Sequence, residues 1–281
     1  MTPPRRRSAS RPARLAAGFS GVRRGFTLVE LLTVLAIVGV LAALVVPVVA
    51  SCRAQASKSR EIAAARQLMA AFQMAADERR GVFLSLRNNT ADSANEGGAK
   101  VAHGEAAARW PHHLRPYLGD RFKNALYVNE QSRYYDAIVA GALPDYTPTI
   151  APSFGFNGLF VGAVASQNIK DRPVRKLEDA LLPSKLIAFA SAQARELHPD
   201  AGYFKIESPA IDWPSADLAA VPGDSSLDAV YGHLSYRLGG KAAVIFLDGH
   251  VELLPCARLR DMRLWSDQAR RQDKPDYRPA F

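Results

Sequence analysis

Residues 23–50 read RRGFTLVELLTVLAIVGVLAALVVPVVA, and the reading of this stretch decides what the rest of the chain is for. Leu31 to Ala50 is a run of twenty residues without a charge. Twenty helical residues rise about 30 Å, the thickness of a bilayer's hydrocarbon core. Leu, Val and Ala suit a helix in lipid, where every backbone polar group must be satisfied within the segment. A cleaved secretory signal has an apolar region of about 7–15 residues before a small-residue cut site, and this run is longer. A helix packed on a soluble domain would show a polar face, and twenty residues without one are long for a core helix of a domain this size. The stretch therefore predicts a membrane-spanning helix over residues 26–50.

The charges flanking it set its direction. Residues 1–25 carry seven arginines and no acid: Arg5, Arg6, Arg7, Arg11, Arg14, Arg23 and Arg24. The chain has 36 Lys and Arg against 27 Asp and Glu, so without this leader the balance is 29 against 27. The net charge of +9 thus belongs to the leader, and the near-neutral body gives no compositional reason to expect a nucleic-acid partner. The positive-inside tendency keeps the leader in the cytoplasm and puts residues 51–281 outside it. Arg53, Lys58 and Arg60 follow the segment, but they are outnumbered.

Glu30 stands at the edge of this apolar run. A carboxylate in a lipid-facing helix costs roughly 2.5–3.5 kcal/mol on insertion scales, and such residues are functional suspects. It can snorkel to the interface, or pair with a cation from another subunit. A cut between Gly25 and Phe26 would create such a cation, the α-amine of Phe26. Pro47 removes one helix hydrogen bond and crowds the preceding turn, so a kink or local softening is expected near Ala43 and Leu44.

These residues closely resemble the prepilin cleavage and methylation motif of type IV pilins and type II secretion pseudopilins. The resemblance implies cleavage after Gly25 and methylation of Phe26 by a prepilin peptidase and N-methyltransferase. It implies that Glu30 guides subunit register, and that Pro47 occupies a position where many such proteins carry a helix-loosening proline. The implied partners are other pilin-like subunits and an inner-membrane assembly platform. The implied location is a single-pass inner-membrane protein with a periplasmic or otherwise extracytoplasmic domain, in a filament when assembled.

Residues 51–80 contain no proline or glycine and are rich in helix formers. Ile62, Ala65, Met69, Phe72 and Ala76, with Leu68 alongside, recur at steps of three and four and form one apolar stripe, read as core packing. Arg60, Glu61, Arg66, Gln67, Gln73 and Asp77 fall mostly off it. Gly81 is the expected C-cap, so one helix of about 55 residues should run from Phe26. Residues 87–107 read as a polar loop, and Trp110, Leu114, Tyr117 and Leu118 as a short helix or turn on the core. Further on, the short apolar runs ALYVN (125–129), KLIAFASA (185–192), GYFKI (202–206) and KAAVIFLDGHVELL (241–254) read as strands. Asp248-Gly249 is the turn of a hairpin in the last run, with the Asp248 carboxylate capping turn amides. SFGFNG (153–158) is expected to wind around aromatic side chains. Residues 258–270 read as a short helix that brings Leu264 and Trp265 to the domain, and 271–281 as a frayed end.

The expected class is therefore α+β and pilin-like, a long N-terminal helix packed on an antiparallel sheet. The divisions are a basic leader over 1–25, a membrane helix over 26–50, its amphipathic continuation over 51–81, a globular domain over 82–257 and a charged tail over 258–281. A second resemblance, to long pseudopilin-like proteins, covers Ser153, Gly155, Asn157 and Gly158, then Pro183, Ser184, Lys185, Phe189 and Ala190, then Asp248, Gly249 and His250. Their H-x9-DG pattern would place a histidine at 238, where this chain has Leu238; the pattern is degenerate, which favours a structural job for Asp248.

Enzymatic signatures are missing: no phosphate loop, no GxSxG elbow and no HExxH helix occur in the sequence. No catalytic, cofactor-binding or metal-binding residue is expected. His103, His112 and His113 lack a recognisable metal spacing. Asp217, Asp224 and Asp228 leave calcium open without following a calcium-loop pattern. Cys52 and Cys256 read as two unrelated thiols, with a disulfide as the alternative. Two functions stay in view, a structural filament subunit and a membrane-tethered binding module that does not assemble. The latter would tolerate substitution of Glu30.

Overall fold

The computed structural model describes residues 26–88, 105–141, 146–162, 171–209, 213 and 227–279. The chain forms two units, Met1–Ala50 and Ser51–Phe281. In the first, the described part is the opening of helix α1, which spans Leu28–Glu78 and is helical throughout, Pro47 included. Its apolar side chains here are exposed, Leu32 at 63% and Leu44 at 64% among them. A window of this helix is apolar and long enough to cross a membrane.

In the second unit, α1 turns amphipathic because its alanines and large apolar residues recur on one face. Ala64, Ala65, Leu68, Met69, Ala71, Phe72, Ala75 and Ala76 are buried there, and Ile62 is half-buried. The helix ends at Glu78: Arg80 turns left-handed with a φ of +58° and its N–H donates to the Asp77 carbonyl at 3.2 Å, and the N–H of Gly81, at a φ of +81°, donates to the Ala76 carbonyl at 2.9 Å.

Four strands follow, β1 (Phe154–Phe156), β2 (Ile187–Ser191), β3 (Lys241–Phe246) and β4 (Val251–Pro255), in the order β1-β2-β3-β4 with every pair antiparallel. The chain is thus α+β in a pilin-like architecture, a long N-terminal helix followed by an antiparallel sheet. The register pairs Phe154 with Ser191, Phe189 with Ile245 and Val244 with Glu252. The central strands are buried on both faces, so they read as continuous apolar runs rather than alternating ones. On one face Phe72 meets Phe156 and Phe189 at ring distances of 5.4 and 5.1 Å, with Trp110 at 5.0 Å from Phe189. On the other face Ile187, Val244 and Phe246 pack with Leu234, Leu259, Met262 and Trp265.

Several expected elements turn out differently. ALYVN is not a strand: Phe122–Leu126 is a helix, because Phe122, Ala125 and Leu126 at steps of three and four bury one face. GYFKI makes a single bridge from Lys205 to Phe156. SFGFNG supplies strand β1, which glycine permits: a Cβ on Gly155 would stand 2.7 Å from the Lys205 carbonyl carbon. Glu61 does not lie off the buried stripe; it is fully buried, for a reason given below. Leu264 and Trp265 are buried against the domain, as expected. The end after them is not frayed over its described part, 271–279: the Met262 N–H donates to the Pro275 carbonyl at 2.9 Å, and the Tyr277 hydroxyl donates to Asp171 at 2.8 Å. Burial and that carboxylate push the Tyr277 phenol up to about 12.

Candidate functional site

The start of α1 is the site that the sequence singles out. Phe26 is 81% exposed, while Gly25 and the rest of the leader fall outside the described residues. Thr27 is the N-cap and Glu30 the third helical residue. The Glu30 Oε2 accepts from the Thr27 N–H and hydroxyl, both at 2.9 Å, and the Glu30 N–H donates back to the Thr27 Oγ1 at 3.2 Å. This is a capping box, which satisfies orphan amides of the first turn from both ends. Thr27 was missed in the sequence reading, although the T-x-x-E spacing ahead of an apolar run is the signature of such a box. Glu30 thus has a local bond besides any partner from another chain.

A second polar centre lies inside the domain. The Glu61 carboxylate takes two bonds from the Arg237 guanidinium, Nη2 to Oε1 at 2.7 Å and Nε to Oε2 at 3.0 Å. Ser191 Oγ donates to Oε1 at 2.6 Å and Asn129 Nδ2 to Oε2 at 3.3 Å. Arg237 also donates to the carbonyls of Ala192 and Ser153, at 3.1 Å each. One guanidinium thus joins α1 to the ends of β1 and β2. Such a pair escapes local pattern analysis because its partners are 176 positions apart.

The remaining expectations fall as follows. Asp248 Oδ1 accepts from the His250 N–H at 3.1 Å and lies 2.6 Å from the His250 Nδ1, and Gly249 takes a φ of +94° in the β3–β4 turn. Asp228 is buried against Arg195, whose Nη2 donates at 2.6 Å, so its carboxylate is already engaged; Asp217, Asp224 and His103 fall outside the described residues. Among the described residues no group of three or more His, Cys, Asp or Glu is placed to hold a metal. The His112 and His113 rings stand 5.8 Å apart and nearly perpendicular. Both cysteines are free thiols, Cys52 exposed and Cys256 buried.

Comparison with known proteins bears on one stretch. A family model described as the prokaryotic N-terminal methylation motif matches residues 22–46, which includes Gly25, Phe26, Thr27 and Glu30 and ends one residue before Pro47. No curated protein and no solved structure matches the chain. The exposed apolar helix and the matched motif together support a membrane-anchored protein of the type IV pilin-like kind, with processing by a prepilin peptidase and assembly with other pilin subunits as what the motif implies.

Proposed function

We propose that the chain is a structural pilin or pseudopilin subunit, cut after Gly25 and assembled through α1 into a type II secretion or type IV pilus-like filament. The observation that carries this reading is the matched motif opening an exposed apolar helix, with the Glu30 carboxylate four residues from the new terminus. The methylated amine of Phe26 in one subunit pairs with Glu30 of a neighbour displaced along the filament axis. In low dielectric that pairing offsets much of the cost of burying each group. The same view needs no catalysis by this chain, and calcium or another cofactor has no part in it. A tethered module that never assembles is the competing view.

Two substitutions separate the roles of Glu30. Glu30→Gln retains an acceptor for the capping box but no charge, whereas Glu30→Ala removes both. Loss of a cap costs about 0.5–2 kcal/mol, whereas orphaning one member of a buried ion pair costs about 3–5 kcal/mol. The expected outcome is that cross-linked ladders collapse in both variants while membrane insertion and cleavage persist. Normal ladders in Glu30→Gln would leave Glu30 a helix cap only. Normal ladders in both would remove Glu30 from the assembly contact, and a wild type that gives no ladders would turn the reading to the tethered module.

A further inference from the structure

Three cations follow the apolar run on the side that charge asymmetry assigns away from the cytoplasm, and the pairing proposed for Glu30 does not use them. Arg53, Lys58 and Arg60 come 3, 8 and 10 positions after Ala50. At 1.5 Å per residue their backbone lies about 5, 12 and 15 Å beyond it. Arg53 and Arg60 are exposed and, being two turns apart, share one helix face. Lys58 points elsewhere: its Nζ lies 3.8 Å from where a Cβ on Gly239 would be. Gly239 and Gly240 turn the chain with φ of +71° and +77°, and the Leu238 N–H donates to the Lys241 carbonyl at 3.2 Å. That turn sets the exposed Lys241 on the same rim as Lys58.

Among the described residues no ion pair ties Arg53, Lys58, Arg60 or Lys241 to an acid. Between Ser51 and Arg66 the sole acid is Glu61, and Arg237 holds both its oxygens inside the domain. Glu130 is exposed beside Asn129, which donates to the Ser57 carbonyl at 3.3 Å, and Arg133 is exposed three positions further on. Burial of Glu61 thus leaves Arg53, Lys58, Arg60 and Lys241 as a collar of four cations around the first turns of α1 within the second unit.

We propose that this collar binds the headgroups of anionic phospholipids on the extracytoplasmic face. The inference rests on the reading of residues 31–50 as a membrane span. A headgroup layer is about 5–8 Å deep on each side of the hydrocarbon, so Arg53 falls within it. Lys58 and Arg60 stand within about one Debye length, 8 Å at physiological salt, of its outer edge, and long stems let cations reach back toward it. An acidic protein surface would have to displace those headgroups to reach the same charges. The collar holds the unassembled subunit to an anionic membrane.

The full chain is reconstituted in vesicles of phosphatidylcholine with 30% phosphatidylglycerol, extracted with a neutral detergent, and its retained lipid quantified by mass spectrometry. A single cation near an anionic surface is worth about fivefold in lipid preference, so wild type should enrich phosphatidylglycerol at least about fivefold over the bulk ratio. The R53Q/K58Q/R60Q/K241Q variant should lose most of that enrichment. Both chains carry the same leader arginines, so the difference between them belongs to the collar. Arg79→Gln, just past the end of α1 and about 28 Å from Arg60 at the helical rise, should keep the wild-type value. Equal enrichment in wild type and the quadruple variant overturns the proposal. So does displacement of the lipid by inorganic phosphate, which would make free phosphate the ligand. A quadruple variant that keeps its lipid but loses cross-linked oligomers overturns it in favour of a protein partner. Carbonate-resistant flotation on pure phosphatidylcholine tests the span by itself: wild type that fails to float sinks the span and this proposal together, while wild type that floats without lipid preference sinks this proposal alone.

Discussion

At the scale of single residues, the chain uses carboxylates in two ways. Glu30 closes the first turn of α1 with bonds a few positions away, whereas Glu61 is fully buried and held by a guanidinium from the far end of the domain. A charge taken out of water must be paired and hydrogen-bonded, and breaking such a pair costs more than the intact pair contributes. Arg237→Met should therefore destabilise the domain by about 3–5 kcal/mol, because Glu61 stays buried with only Ser191 and Asn129. The double variant Glu61→Leu with Arg237→Met should regain most of that loss. Thermal unfolding of both in detergent checks this; a double variant no more stable than Arg237→Met would show that Arg237 acts through the Ala192 and Ser153 carbonyls instead.

At the scale of elements, the segment around His233 carries a pH response. His233 is buried with a φ of +60°, its ring centred 3.9 Å from that of Tyr203 and its Nδ1 3.3 Å from the Gln193 carbonyl. Burial lowers its pKa below the usual histidine value, against the opposing pull of Glu196, Glu207 and the Gln193 carbonyl; Lys205 lowers it further. The unfolded chain takes up this proton near pH 6.5 and the folded domain only at lower pH. In that window the unfolded state binds more protons, so stability is present above it and falls as pH drops. His233→Asn tolerates the left-handed backbone and has no proton to take up. Its melting temperature should fall less than that of wild type between pH 7.5 and 5. Equal falls would assign the acid sensitivity elsewhere.

The same scale shows what the residue pattern could and could not tell. The β3–β4 hairpin was legible because Asp248-Gly249 is local turn chemistry between two apolar runs. The buried stripe of α1 was legible from its period, except at Glu61, whose burial depends on a partner 176 positions away. β1 was hidden because Gly155 breaks the strand pattern, and glycine is there to let the Lys205 backbone approach. The contact of Trp265 with the domain was legible from its size, but the order of residues 271–279 was not, because charge hides the pairing in which Arg263 spans Asp261 at 2.8 Å and Asp273 at 2.6 Å. At the candidate site, Phe26 and Glu30 stood out by composition, but the role of Thr27 as cap lay in a spacing that an emphasis on apolar length passes over.

At the scale of the whole molecule, the proposed history of the chain predicts its terminus and its sidedness. Mass spectrometry of the mature protein should find a chain starting at Phe26 with one methyl group on its amine. A start near Cys52, or an intact Met1 form, would contradict processing after Gly25. A reporter fused after Phe281 should be active only in its exported form; activity confined to the cytoplasm would reverse the orientation. The bond between Glu61 and Arg237 also governs timing. During synthesis Glu61 emerges long before its partner, and at about 5–20 residues per second the intervening 176 positions take roughly 9–35 s to make. Phe83, Trp110, Phe156 and Phe189, which pack on the apolar stripe of α1 or beside it, are all made before Arg237, so that stripe gains its cover while Glu61 still lacks its guanidinium. A core that closed over Glu61 before then would bury an unpaired acid, so closure around that carboxylate waits on residue 237, and any pause in translation before it prolongs the wait.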